Sequence, residues 1–180
     1  MTADQGRLPT IHEVRDAVSQ SAFGAPLIQN NLRALVVETI VEFALAPNWK
    51  RCGADWSGWD FQHLDGMRLE VKQSARRQTW ASPKFPAPPR FDIAERTGYY
   101  EGPTWIAKPG RPAQIYIFAL HEVIDETADH RDALQWSFYV VPAGKLPATK
   151  SLSASAVEAL STAVRFSGLS AAVEAQRGQF

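Results

Sequence analysis

The stretch Trp59-Asp60-Phe61-Gln62-His63-Leu64-Asp65-Gly66-Met67-Arg68-Leu69-Glu70-Val71-Lys72-Gln73 decides how the rest of the chain is read. Asp65-Gly66 between two strand-like runs is the dipeptide of a tight hairpin, because its central positions need residues that tolerate positive φ. Beyond the turn the chain alternates. Arg68, Glu70, Lys72 and Ser74 share one face, and Leu69 and Val71 the other. Closing the hairpin brings Asp60 opposite Glu70 and Lys72. Two carboxylates and a lysine at one spot suit a hard divalent cation, since Mg²⁺ takes one or two carboxylates and fills its shell with water and phosphate oxygens. Such an ion polarises a phosphoryl oxygen and acidifies bound water, which the lysine orients or helps deprotonate. The same alternation describes a solvated strand face laced with cross-strand ion pairs. The triplet by itself leaves both readings open.

Upstream, the sequence turns helical. Thr10-Ile11-His12-Glu13 is a capping box, predicting a helix from Ile11 to about Ser21 that stops near Gly24 and Pro26. A second helix starts after Asn30 and Asn31, either of which can cap it, and ends before Pro47. Its apolar residues, from Leu32 through Leu45, cover more than one stripe and predict packing on two sides. Glu38 sits among Ala34, Leu35, Val41 and Leu45, where a carboxylate needs a cation, a proton or a strong donor. It is therefore a candidate for a further metal or water contact, or a carboxylate reaching solvent from the stripe's edge.

With these residues in place, a resemblance is visible. A helix bearing Glu38, then Asp60, then Glu70-Val71-Lys72 across a hairpin is similar to the PD-(D/E)xK nuclease superfamily, which includes restriction endonucleases and Holliday junction resolvases. Gly58-Trp59-Asp60-Phe61, Leu69 to Ala75, Gln78-Thr79-Trp80 and Trp136 to Pro142 resemble an uncharacterised bacterial group within it, over roughly residues 30–146. The resemblance implies a restriction endonuclease-like α/β fold with an α-β-β-β-α-β core. It further implies Asp60 and Glu70 as metal ligands and Lys72 as the catalytic lysine, with Glu38 and Gln73 as lesser positions. Trp59 stands where the superfamily's nominal proline precedes the aspartate. The fold serves restriction, repair, recombination and tRNA processing, so it does not specify a substrate.

Downstream of the hairpin, residues 76–112 hold seven of the 12 prolines. Seven basic side chains (Arg76, Arg77, Lys84, Arg90, Arg96, Lys108, Arg111) face three acidic ones there, in a protein whose formal net charge is zero. Basic groups neutralise phosphates and interleaved aromatics stack on bases, which makes this insertion, with Arg76 and Arg77 at its start, the expected substrate-reading segment. Trp80 and Phe91 are expected to be buried within it. Trp56 and Trp59 flank Asp60, either as a wall of the site or as packing beneath it.

Gln114 to Leu120 reads as a buried strand and Trp136 to Val141 as another, joined by an acidic, solvated connection. Ser155-Ala156-Val157-Glu158 predicts a helix to about Phe166 that stops at Gly168, and the last dozen residues are expected to attach loosely. The order α-α-β-β-(short β)-β-β-α describes one mixed α/β domain over residues 1–180, with residues 1–29 as a helical extension. The lone Cys52 excludes an intramolecular disulfide and a cysteine-built zinc site. His12, His63, His121 and His130 lack zinc-motif spacing, and no phosphate-cradling glycine-rich loop is present. The first ten residues carry no apolar leader core and no apolar run spans a bilayer, so the expectation is a cytoplasmic protein without membrane contact.

The reading that results is a nuclease hydrolysing DNA phosphodiesters. Asp60 and Glu70, with the Val71 carbonyl, hold Mg²⁺ (with Mn²⁺ as a substitute), Lys72 positions water, and Glu38 supports them. A homodimer is compatible with it. The alternative is a catalytically silent nuclease-fold scaffold serving a larger nucleic-acid-processing partner.

Overall fold

A computed structural model of the protein describes residues 7–52, 58–80 and 88–180. Trp56 and Lys84 lie outside them. Two helices, α1 (Ile11–Phe23) and α2 (Asn30–Leu45), precede strands β1 (Trp49–Arg51), β2 (Phe61–His63) and β3 (Arg68–Ala75). Then come β4 (Arg90–Asp92), β5 (Tyr99–Glu101), β6 (Thr104–Ile106), β7 (Ile115–His121) and β8 (Trp136–Pro142), followed by β9 (Ser151–Ser153), α3 (Ala154–Leu160) and α4 (Phe166–Arg177). The central sheet is mixed, in the order β1-β2-β3-β7-β8. Only the β3–β7 pair is parallel, and the other three pairs are antiparallel.

The hairpin forms as the sequence predicts. Phe61 pairs with Leu69 and Gln62 with Arg68, and Gly66 takes a φ of 92°, a conformation open to glycine at little cost. The Asp65 carboxylate holds the turn by accepting the Met67 amide. Strand β7 is buried along its whole length, as its unbroken apolar run requires of a strand covered on both faces.

Strand alternation sorts the core into two clusters. Leu69, Val71, Ile115, Ile117, Phe138 and Val140 meet α2 and α4 on one face. On the other, Tyr116, Phe118, Leu120, Tyr139 and Val141 meet Trp59, Phe91, Tyr99 and α3. The parallel β3–β7 connection needs a crossover. Among the described residues it carries the short strands β4, β5 and β6 and no α-helix. That departs from the helix which the α-β-β-β-α-β order puts there.

Several expectations are corrected. α2 begins at Asn30 with Gln29 in the cap position and no side-chain cap bond, so neither asparagine caps it. Its buried residues, Arg33, Val37, Ile40, Val41 and Leu45, form one stripe, and Leu35 and Phe43 are exposed. Two-sided packing is therefore not observed. At the C-terminus, Ser153 rather than Ser155 caps α3, accepting the Ala156 amide. The final residues are not loosely attached. Gly168 lies inside α4, whose Leu169 and Val173 are fully buried against the sheet. Leu169→Ala should accordingly cost about 2–5 kcal/mol of stability, the usual cost of such a cavity, measured by urea denaturation. A cost under 0.5 kcal/mol would place α4 outside the cooperative core.

None of the described helices is long and apolar enough to cross a membrane.

Candidate active site

The site is built where β2 stops accompanying β3. The last ladder contact is the Asp60 amide donating to the Leu69 carbonyl at 3.0 Å, and the Asp60 carbonyl accepts the Cys52 amide at 2.8 Å. Both bonds fix the Asp60 backbone. Its carboxylate then takes the place of the next ladder partner, with Oδ2 accepting the Val71 amide at 2.6 Å. Alternation along β3 puts the Val71 carbonyl on the edge that its amide faces. Asp60 is thereby aimed at the middle of Glu70-Val71-Lys72.

Glu70 stands on the opposite side of β3 from Leu69 and Val71 and is only 4% exposed. A buried carboxylate must be paired, and Glu70 is paired twice. Lys72 Nζ lies 2.6 Å from Oε1, and Arg96 Nη2 reaches the same oxygen at 3.1 Å. The strand is therefore not a solvated ion-pair face at Glu70. Burial and the Glu70 charge, with a smaller contribution from Glu38, push the Asp60 carboxyl up to about 7. The neighbouring Tyr116 phenol is raised by burial and by Glu70. Asp60 is thus a desolvated carboxylate beside a Glu70 whose own charge Lys72 and Arg96 already pair.

Asp60, Glu70, Val71 and Lys72 come together; the other candidates are held elsewhere. Glu38 is drawn to Arg51 at 2.5 Å, with Glu42 3.7 Å from the same guanidinium. Among the described residues no group of three or more His, Cys, Asp or Glu side chains converges to hold an ion. Gln73 faces α2, where its carbonyl accepts Arg33 Nε at 2.6 Å and its amide donates to Asn30. Arg76 lies 3.7 Å from Glu158, and the Arg77 guanidinium donates to the Asp125 carbonyl. Trp59 packs beneath the site, edge-on to Tyr99 and with the Arg68 guanidinium 3.6 Å from its ring centroid. Phe91 is buried as expected, but Trp80 is 59% exposed, which corrects its expected burial. His63 lies tilted against Trp49 and bonds Asp65 rather than entering the site.

Two residues here went unread in the sequence. Arg96 was one of seven insertion cations with nothing local to single it out. Arg33 reads as an ordinary polar helix residue, yet it is fully buried on the amide oxygens of Gln73, Gln78 and Asn30.

No protein-family model matches the chain, and no curated protein is similar to it at a significant level. The chemistry of the site has to carry its own reading.

Proposed function

We propose that the protein is a divalent-metal-dependent nuclease of the restriction endonuclease-like, PD-(D/E)xK type, hydrolysing DNA phosphodiesters. The observation that carries this is the Asp60 carboxylate seated on the Val71 amide. It places the aspartate beside Glu70 and Lys72, although ten residues of sequence separate it from Glu70.

The donor set fits magnesium. Asp60, Glu70 and the Val71 carbonyl offer only oxygen, which a hard cation prefers, and two carboxylates match what Mg²⁺ takes from protein. A divalent ion would offset the burial, and after it the Glu70 charge, that raise Asp60. When bound, it would supply Lewis acidity at a phosphoryl oxygen and a more acidic water. The chain's own residues do the rest. Lys72, held beside Glu70, orients the attacking water, and Arg96, on the same carboxylate oxygen and partly exposed, is placed to meet phosphate charge. Trp59, next to Asp60 in the chain, packs edge-on against Tyr99 in the apolar cluster on that side of the sheet.

Supercoiled plasmid incubated with the protein should be nicked or linearised in Mg²⁺ or Mn²⁺ and remain intact in EDTA. Intact plasmid in every metal would sink the proposal.

A second reading is a nuclease-like scaffold without turnover. It is favoured by Glu70 already carrying two cations, Lys72 and Arg96. Titration calorimetry separates the two: a working site binds Mn²⁺, and a scaffold whose glutamate is satisfied internally shows no heat.

A further inference from the structure

Beside Glu70, toward the start of β3, a small polar pocket opens that the site described above does not use. It holds about 110 Å³, well below the roughly 300 Å³ at which pockets for whole small molecules begin, so it fits one ionic group rather than a nucleotide. Its walls include Arg68, Tyr99, Lys108, Gly110, Arg111 and Gln114, and they carry three cations and no acid.

These three charges are held in place without being neutralised. Arg111 donates Nε to the Ile93 carbonyl at 2.9 Å and Nη2 to the Pro147 carbonyl at 2.8 Å, acceptors that fix the guanidinium and leave its charge. Lys108 is exposed, and among the described residues no carboxylate pairs with it or with Arg111. Arg68 lies over the Trp59 ring, 3.6 Å from its centroid, and its one carboxylate, Glu101, is 3.5 Å away and 59% exposed. A pair so solvated contributes little. The pocket is also in register with the site. Gln114 sits across from Arg68 and takes its amide on Oε1 at 2.8 Å, and the next pair on that face is Glu70 with Tyr116. Two residues along a strand span about 6.6 Å. Gly110 and Arg96 exchange both backbone hydrogen bonds, and the Arg96 side chain ends on Glu70. The Tyr116 phenol senses both places: burial, Glu70 and Asp60 raise it, while Arg111 and Arg96 lower it.

We propose that this pocket seats one phosphate of the DNA backbone, the neighbour of the phosphate that is cut at Asp60 and Glu70. Arg111, fixed by carbonyls, and Arg68, stiffened by Trp59, meet the phosphate oxygens at little cost in ordering, and Lys108 adds a third charge from its exposed position. The contact is to charge and not to a base edge, so it positions the strand without reading sequence. The proposal rests on the nuclease reading for its ligand and deepens it by giving the strand a second fixed point beside the cut.

The test is equilibrium binding of two labelled duplexes of unrelated sequence, in EDTA and again in Ca²⁺, over roughly 50–200 mM salt. Lys108→Gln should weaken binding by the same factor on both duplexes and flatten the slope of log affinity against log salt by about 1. Arg111→Gln, if it stays folded by near-UV circular dichroism, should do the same. Arg15→Gln, which makes the same change in net charge on α1 outside the pocket, should leave the slope alone. An unchanged slope in Lys108→Gln, an equal fall in Arg15→Gln, a loss confined to one sequence, or no binding in either buffer would overturn the proposal. Neither buffer asks for cleavage, so the two readings fail separately. Plasmid cleavage by the parent with an unchanged slope in Lys108→Gln removes the phosphate seat and spares the nuclease; a flattened slope without cleavage in Mg²⁺ does the opposite.

Discussion

Lys72→Ala should abolish plasmid cleavage in Mg²⁺, with a loss of about 10²–10⁴-fold in rate, while the protein stays folded. Lys72 is one residue beyond Val71 in β3, and its ammonium reaches Glu70 rather than solvent alone. No second lysine among the described residues pairs with Glu70: the other cation on it is the guanidinium of Arg96, a set of donors with no acceptor for water's proton. Losing one partner of a buried pair normally costs about 3–5 kcal/mol. Here Arg96 remains on the same oxygen, and Lys72 is partly solvated, so the stability loss should be nearer ~1 kcal/mol. The two readouts are therefore separable. Cleavage within two-fold of the parent would remove Lys72 from the mechanism, and an unfolded variant would be replaced by Lys72→Met, which keeps the aliphatic stem.

How much of this was legible follows from the range of the forces involved. The Asp65-Gly66 turn and the Thr10–Glu13 capping box were legible because both are decided within four residues. β7 was legible because a strand buried on both faces has no polar position to hide. α4 was not. Its helix is rich in Ser, Gly and Ala, and Gly168 reads as a stop until Leu169 and Val173 find the sheet. Nor could α2 reveal its single stripe, since Leu35 and Phe43 are as apolar as the residues that are buried.

At the site the same division holds. The pairing of Asp60 with Val71 follows from hairpin register, a local quantity. By contrast, the diversion of Glu38 to Arg51, the arrival of Arg96 at Glu70, and the burial of Arg33 on Gln73 and Gln78 are set by tertiary packing, and charge patterning carries no trace of them. α1 marks the limit from the other side: its box was readable, yet the helix buries none of its own residues.

Asp60→Asn should make the metal-free protein more stable and destroy its metal binding. In the native state burial and Glu70 raise the Asp60 carboxyl from 3.8 to about 7. Below pH 3.8 the group is protonated whether the chain is folded or not, and its charge costs nothing. As pH rises from there the unfolded chain ionises and the native one resists, so stability is lost progressively until about pH 7 and is constant above it. The span sets a ceiling of roughly 4 kcal/mol. Asparagine carries no charge and keeps an oxygen for the Val71 amide, so the variant should gain about 1–3 kcal/mol at pH 8 and close to none near pH 4. Urea denaturation in EDTA at both pH values measures the gap; a gap that does not widen with pH would mean Asp60 is ionised without strain. Adding Mn²⁺ at 100 times its dissociation constant should then stabilise the parent by about 2.7 kcal/mol and leave Asp60→Asn unmoved. Equal stabilisation of both would take Asp60 out of the metal's ligands and leave the charge at this strand edge without the task proposed for it.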